Sequence, residues 1–321
     1  MKVLSDDQVE AFHRDGYVMM EGAVSAGDLT ALQEVFAGWI ADSCSHTGPW
    51  GTTVDGRARF DVEPGHSAET PALRRVASPV EVSDVYLEVM RRAPMVDAAA
   101  QLVGPNMEFN NAKVNSKQPG AATAVRFHQD FLYEPHTNDD LVAVLVFLDD
   151  VTAENGPLEV VPGSHRGPLY EHWQDGVFTG AVVADVADEA AERAVACHGP
   201  AGSACLMHTR ILHGSAPNRS ASARTLYICT YRSEDSQPLL ANHIPSRFDG
   251  EVVRGVATKR VRCSASEMTF PEIPTGASFF EQQAQLGAVG WRACCAWPSA
   301  PTTASEDGPA SASWSWRTTR P

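Results

Sequence analysis

The sequence predicts a mainly β fold, a sandwich or barrel core with flanking α-helices packed on its outside. Three observations carry this expectation. Six short segments rich in Val, Leu, Phe or Tyr lie between residues 107 and 231. Turn signals such as Pro119-Gly120, Asn155-Gly156-Pro157, Pro162-Gly163 and Gly199-Pro200 punctuate them. Helical spacing is confined to about the first hundred residues, so helices would cover a β core rather than alternate with its strands.

Taken in order, the elements read as follows. Ser5 with Gln8 three residues on has the form of a capping box, and Val9, Phe12 and His13 then share a helical face. Residues 16–20 form a short strand. Helical spacing returns over 28–40, with Leu29, Leu32, Val35, Phe36 and Trp39 on one side. Residues 43–71 contain Gly48-Pro49, Gly51, Asp55-Gly56 and Pro64-Gly65 and read as a long irregular loop. Loops of that length in compact domains are often lids or binding segments, so we expect it at a substrate entrance. A helical pattern over 79–103 stops at Gly104-Pro105. Strands are expected over 108–117, 125–130, 141–148, 158–161, 204–207 and 225–231. We read one domain over 1–286, helical over about 1–105, with its β core over about 106–250. Residues 287–321 hold four of the seven Trp and no Phe on an Ala/Ser/Thr/Pro background. They read either as a non-native tail from read-through or a frame shift, or as an ordinary disordered terminus.

Composition narrows the function. The 321 residues carry a formal charge of -15, which repels nucleic acid and anionic membrane surfaces alike. The seven cysteines are odd in number and include no C-x-x-C pair, which speaks against a zinc ribbon or redox dithiol and for reduced thiols in the cytoplasm. Residues 1–10 are polar with three acids and do not form a signal peptide. The longest apolar run, 141–148, is too short to span a bilayer.

The chemistry-bearing candidate is His128-Gln129-Asp130. On a strand, i and i+2 share a face, so an imidazole and a carboxylate converge as metal ligands must. Composition alone would give roughly 0.7 such pairs, and a second copy, His13-Arg14-Asp15, falls in a helical pattern where the two diverge. What lifts His128 is its flanking Phe127 and Phe131, which mark a half-buried strand. A third ligand would come from His136, His165, His172, His198, His208, His213 or His243. His213 is followed eleven residues later by Arg224, at the head of a strand-like run. His208 has the same spacing to Arg219, which lies in a turn.

These residues resemble the phytanoyl-CoA dioxygenase family of iron(II)/2-oxoglutarate oxygenases. The likeness rests on His128-Gln129-Asp130, on the run from Phe147 through Asn155-Gly156-Pro157 to Pro162-Gly163-Ser164-His165, on Leu212-His213-Gly214-Ser215-Ala216-Pro217-Asn218 with Arg224, and on Phe12-His13-Arg14-Asp15-Gly16-Tyr17 near the start. The resemblance implies a double-stranded β-helix core of the jelly-roll or cupin-like kind. It implies Fe(II) held by His128, Asp130 and His213, and 2-oxoglutarate whose far carboxylate pairs with Arg224 and which Ser215 and Asn115 contact. It also implies O2 as oxidant, and hydroxylation or another oxidation of a small molecule, as in specialised metabolism, with release of succinate and CO2. Asp130 stands where halogenating relatives carry a small residue, which favours hydroxylation over chlorination. No basic cluster suits the phosphates of coenzyme A, so an acyl-CoA is not expected. The alternative is a cupin-like metal hydrolase or isomerase with the same three ligands and no 2-oxoglutarate; it would have no use for Arg224. Of the remaining residues, His165 is expected to hydrogen-bond locally in its turn, His208 to be a core histidine, Asp149 a solvated strand end, and Arg57, Arg59 and Arg126 secondary candidates for an anionic substrate.

Overall fold

The computed structural model describes residues 2–264 apart from positions 120 and 122, so the 287–321 tail lies outside the described residues. The chain opens with α1 (Asp6–Asp15), β1 (Tyr17–Met20) and α2 (Ala26–Ser43). It continues through β2 (Phe60–Val62), β3 (Leu73–Ala77), α3 (Asp84–Arg92) and α4 (Pro94–Val103). Then come β4 (Met107–Lys117), β5 (Val125–His128), β6 (Leu141–Phe147), β7 (Leu158–Val160), β8 (Trp173–Gln174), β9 (Val177–Phe178) and α5 (Ala184–Arg193). The last strands are β10 (Val195–Cys197), β11 (Ala204–His208), β12 (His213–Ser215), β13 (Arg224–Ser233) and β14 (Val252–Arg254).

Two antiparallel sheets face each other as a double-stranded β-helix. The larger runs β1-β11-β6-β13-β4-β3-β2, with β14 also on β4, and the smaller runs β10-β7-β12-β5. Helices cover the outer face of the large sheet, which explains why β6 is a continuous apolar run rather than an alternating one. Its Val142, Val144 and Val146 pack with α1 to α4, whereas Ala143, Leu145 and Phe147 pack between the sheets. β4 obeys the same alternation with a different consequence. Ala112 and Val114 join the helix-side core, so Lys113, Asn115 and Lys117 project into the space between the sheets. A polar ladder on the inner face of a buried strand is what makes room for a site. Among the described residues, no helix is long and apolar enough to cross a membrane.

The structure differs from the sequence reading in three places. The 79–103 pattern is two helices, because Pro94 lacks an N–H and holds Ala93 extended (φ -61°, ψ 156°) between them. The 43–71 loop contains β2, bridged at Phe60 to Trp50, so that part of the N-terminal stretch belongs to the large sheet. Asp130 lies past the end of β5. Gln129 is still extended, and Asp130 begins a single 3₁₀ turn.

At the end of α1 the Ser5–Gln8 capping box is present, and Gly16 terminates the helix in the left-handed region at φ 86°. His165 fills the space above it: a Cβ on Gly16 would strike the His165 ring at Nδ1. His165 is therefore a buried packing residue, but its Nε2 lies 3.3 Å from the carbonyl of His13 in α1, so its partner is distant in sequence and not local to its turn as expected. Gly16→Ala should cost about 1–3 kcal/mol from the forced backbone alone, read as a lowered Tm. A variant melting with the wild type would show that His165 does not hold this corner.

Candidate metal centre and co-substrate pocket

β5 and β12 are neighbours in the small sheet, and their register sets His128 opposite His213. Gln129 fixes the step to Asp130 from the other face. Its amide donates to the carbonyls of Pro168 and Arg210 and accepts from the Tyr170 N–H. With Gln129 pinned outward, His128 and Asp130 turn inward together. One oxygen of Asp130 lies 3.5 Å from His128 Nε2 and 3.8 Å from His213 Nε2, and the three ligand atoms all lie within 4.8 Å of one another. This is the only such cluster of three among the described residues.

The tautomers follow from the backbone. His128 Nδ1 is 2.8 Å from the Arg126 carbonyl and His213 Nδ1 is 3.0 Å from the Ile211 carbonyl. A carbonyl only accepts, so each Nδ1 carries the proton and each Nε2 presents a lone pair to the common point. Burial, reinforced by His128, lowers the His213 imidazole to about 4, so it is neutral at neutral pH. Burial works against the Asp130 carboxylate, but Lys113, His213 and His128 outweigh it and hold Asp130 well below the usual carboxylate range. Two imidazole Nε2 atoms and one ionised carboxylate on one face fit a divalent metal such as Fe(II) and leave its opposite positions open.

The triad lies in the wall of a cavity that Asn115, Lys117, Ser215 and Arg224 also line. Arg224, paired in register with Lys117, is buried and donates its Nε to the Gly156 carbonyl at 2.9 Å. Gly156 must come this close to its surroundings, since a Cβ there would strike the Ala216 carbonyl. No hydrogen bond is formed by Arg224 Nη1 or Nη2 among the described residues. Burial pulls the guanidinium down to about 10, against the support of Asp149. Asp149 is thus no freely solvated strand end; its carboxylate accepts the Thr225 N–H at 2.8 Å. Ser215 accepts from Lys117 Nζ at 2.7 Å, and the same ammonium reaches the carbonyls of Ser215 and Ala216. Asn115 Oδ1 is buried with no hydrogen-bond partner among the described residues.

Lys117 is the residue that sequence reasoning missed. Burial and the neighbouring Arg224 push its ammonium down to about 6. A carboxylate entering beside Arg224 would restore its charge, so the two cations together form a receptor for an acid. The signal in the sequence was the alternation of Lys113, Asn115 and Lys117 against Ala112 and Val114.

The other candidates lie elsewhere. His208 accepts from the Arg210 N–H and stacks on Phe12, and Arg219 is exposed in its turn, so the rival pair takes no part in the triad. Arg59 is buried against Glu81 and the carbonyls of Thr52, Ala77 and Ser78, a structural role. Arg126 presents its side chain to solvent, and Arg57 pairs with Asp55 and the His243 carbonyl.

Comparison with known proteins agrees with this architecture. A protein from Stutzerimonas stutzeri described as a probable alpha-ketoglutarate-dependent hypophosphite dioxygenase is 30% identical over 286 residues, 87% of this chain and 97% of its own. The L-proline trans-4-hydroxylase of Streptomyces griseoviridis is 29% identical, over 71% of this chain and 86% of its own. The crystal structure of EctD from S. alaskensis with 2-oxoglutarate and 5-hydroxyectoine superposes with a TM-score of 0.62 at 24% identity, covering 81% of this chain and 88% of that one. The family described as Phytanoyl-CoA dioxygenase (PhyH) matches residues 12–226, and the chain belongs to that family.

Proposed function

We propose that the protein holds Fe(II) through Nε2 of His128 and His213 and a carboxylate oxygen of Asp130, binds 2-oxoglutarate against Arg224, and hydroxylates a small molecule. Its relatives are named as 2-oxoglutarate-dependent dioxygenases and hydroxylases, and this chain is a dioxygenase of the same kind. The observation that carries the residue assignment is one cavity with a His-Asp-His cluster in its wall and a buried arginine, free at both Nη atoms among the described residues, at Arg224. The hydrolase or isomerase alternative leaves that arginine without a purpose.

Each residue then has a defined task. The two Nδ1 protons stay on His128 and His213, held by their carbonyls, so neither ring turns away from the metal position. Arg224 and Lys117 fix the far carboxylate of 2-oxoglutarate, with Ser215 orienting Lys117. Asn115 Oδ1 accepts a hydrogen bond inside the cavity. The apolar walls, Leu145, Leu158, Leu226 and Ile228, keep bulk water out. When bound, the iron supplies activation of O2 by the keto acid. The reaction balances as substrate X–H, O2 and 2-oxoglutarate giving X–OH, succinate and CO2: one oxygen atom ends in the hydroxyl, the other in the new succinate carboxylate.

The five described cysteines are free thiols, which supports a reducing, cytoplasmic location. The substrate class is open to a direct test. Iron-loaded protein should release succinate from 2-oxoglutarate under air, and a panel of metabolites should raise that rate when the right class is present. Absence of succinate from iron-loaded protein under every condition would refute the dioxygenase assignment.

A further inference from the structure

Resting on the dioxygenase reading, we propose that Arg210 is a positioning residue for the metal centre: through Asp139 and the Gly167 carbonyl it holds the turn between β11 and β12, whose successive carbonyls set the places of Asp130 and His213. Neither Arg210 nor Asp139 belongs to the ligand cluster, and neither lines the cavity. The turn nevertheless touches the triad at three consecutive residues. Thr209 O accepts the Phe131 N–H at 2.9 Å, and Arg210 O accepts the Gln129 side-chain amide at 2.7 Å. Asp130 is thereby gripped on both sides in the chain. Ile211 O accepts from His213 Nδ1 at 3.0 Å, which aims the Nε2 of that ring.

A turn can serve as such a template only if it is itself held. His208 closes it from within, its carbonyl accepting the Ile211 N–H at 2.9 Å and its Nδ1 the Arg210 N–H at 3.1 Å. Arg210 ties it to two other elements. Its Nη1 pairs with Asp139 at 2.7 Å, and its Nη2 donates to the Gly167 carbonyl at 2.8 Å. Asp139 stands at the head of β6, where its own carbonyl accepts the Leu141 N–H at 2.8 Å. Gly167 precedes Pro168, whose carbonyl takes the Gln129 amide at 3.2 Å. One planar fork therefore joins the turn to the large sheet on one side and to the second anchor of Gln129 on the other.

The expected effect falls on the metal rather than on the fold. The Arg210 and Asp139 side chains are 23% and 33% exposed, and ion pairs in that state contribute little to global stability. Ligand geometry is less forgiving, because groups that orient metal ligands from behind typically account for roughly 10- to 100-fold in metal affinity. Arg254 supplies a matched control. It pairs with Asp97 at 2.6 Å, with side chains 25% and 24% exposed, and donates to the Arg91 and Val253 carbonyls. That pair joins α4 to β14 and borders neither the cavity nor the turn.

The test measures binding without turnover. Fe(II) is titrated without oxygen, against a competing chelator, into the wild type, Arg210→Met, Asp139→Ala and Arg254→Met, with melting curves of the apo forms alongside. Arg210→Met should weaken Fe(II) at least about tenfold. Asp139→Ala should weaken it less, since the Gly167 contact survives. Arg254→Met should stay within about twofold of wild type even where its melting falls as far as that of Arg210→Met. A second readout is the His213 Nδ1–H proton, followed by NMR in protein loaded with diamagnetic Zn(II): it should exchange slowly in the wild type and faster in Arg210→Met. Wild-type iron affinity in Arg210→Met, an equal loss in Arg254→Met, or unchanged exchange of the His213 proton would overturn the role. Should Arg210→Met fail to fold, Asp139→Ala carries the test, and unchanged affinity and exchange there would overturn it as well. Failure of the wild-type protein to bind Fe(II) at all would instead overturn the underlying reading.

Discussion

Alanine at His128, Asp130 or His213 is expected to leave a folded protein with less than about a tenth of wild-type iron, because each substitution removes one of three ligands and, among the described residues, no fourth His, Cys or carboxylate joins the cluster. Plasma emission on protein reconstituted with Fe(II) reads the loss directly, and a melting curve separates it from unfolding. The three variants should not behave identically. His128 and His213 each leave a small void and a carbonyl, at Arg126 or Ile211, that has lost its donor. Asp130→Ala also removes the charge that Lys113 faces, so its apo form should melt lowest of the three. Asp130→Gly opens a coordination position in place of the carboxylate and should abolish hydroxylation. Unchanged iron in all three alanine variants would mean that the metal, if there is one, binds elsewhere.

The triad was legible in the sequence for a physical reason. A strand with period two puts His128 and Asp130 on one side wherever the backbone stays extended, and it does so through Gln129 even though the strand itself has ended. His213 carried less signal of its own. β12 is three residues long, too short for any periodicity, and it was the joint match of its neighbourhood with a family that singled it out over His208. The core strands β6 and β13 were visible as apolar runs, because both of their faces are covered. The two-residue strands β8 and β9 left no pattern to read. Lys113 and Lys117 were hidden for the opposite reason. Alternation along β4 shows that there are two faces but not which one meets water, and lysine on a strand ordinarily marks the wet side. Only pairing to β3 and β13, and the packing of helices on Ala112 and Val114, turns those lysines inward.

Arg224→Ala is expected to raise the KM for 2-oxoglutarate by roughly 10- to 150-fold, the equivalent of about 1.5–3 kcal/mol for a hydrogen bond to a charged group. Arg224 is rigidly presented. Its Nε is tied to the Gly156 carbonyl, its Cα is in register with Lys117 on β4, and its terminal nitrogens have no protein partner among the described residues. A carboxylate placed there can take both in a planar fork. Arg224→Lys keeps a charge but not the fork, and its ammonium would sit beside Lys117, already pushed down to about 6 by burial and by its cationic neighbour. We therefore expect the lysine variant to fall between wild type and alanine rather than to rescue fully. Iron occupancy should stay near normal in both, since among the described residues Arg224 forms no hydrogen bond to any member of the triad. Arg219→Ala is the control. It has the same eleven-residue offset from His208 that Arg224 has from His213, but it is exposed in its turn, with its N–H bonded to the Glu154 carbonyl. If Arg219→Ala weakened 2-oxoglutarate and Arg224→Ala did not, the acid receptor would be misplaced, and His208 would have to be reconsidered as the third ligand in place of His213.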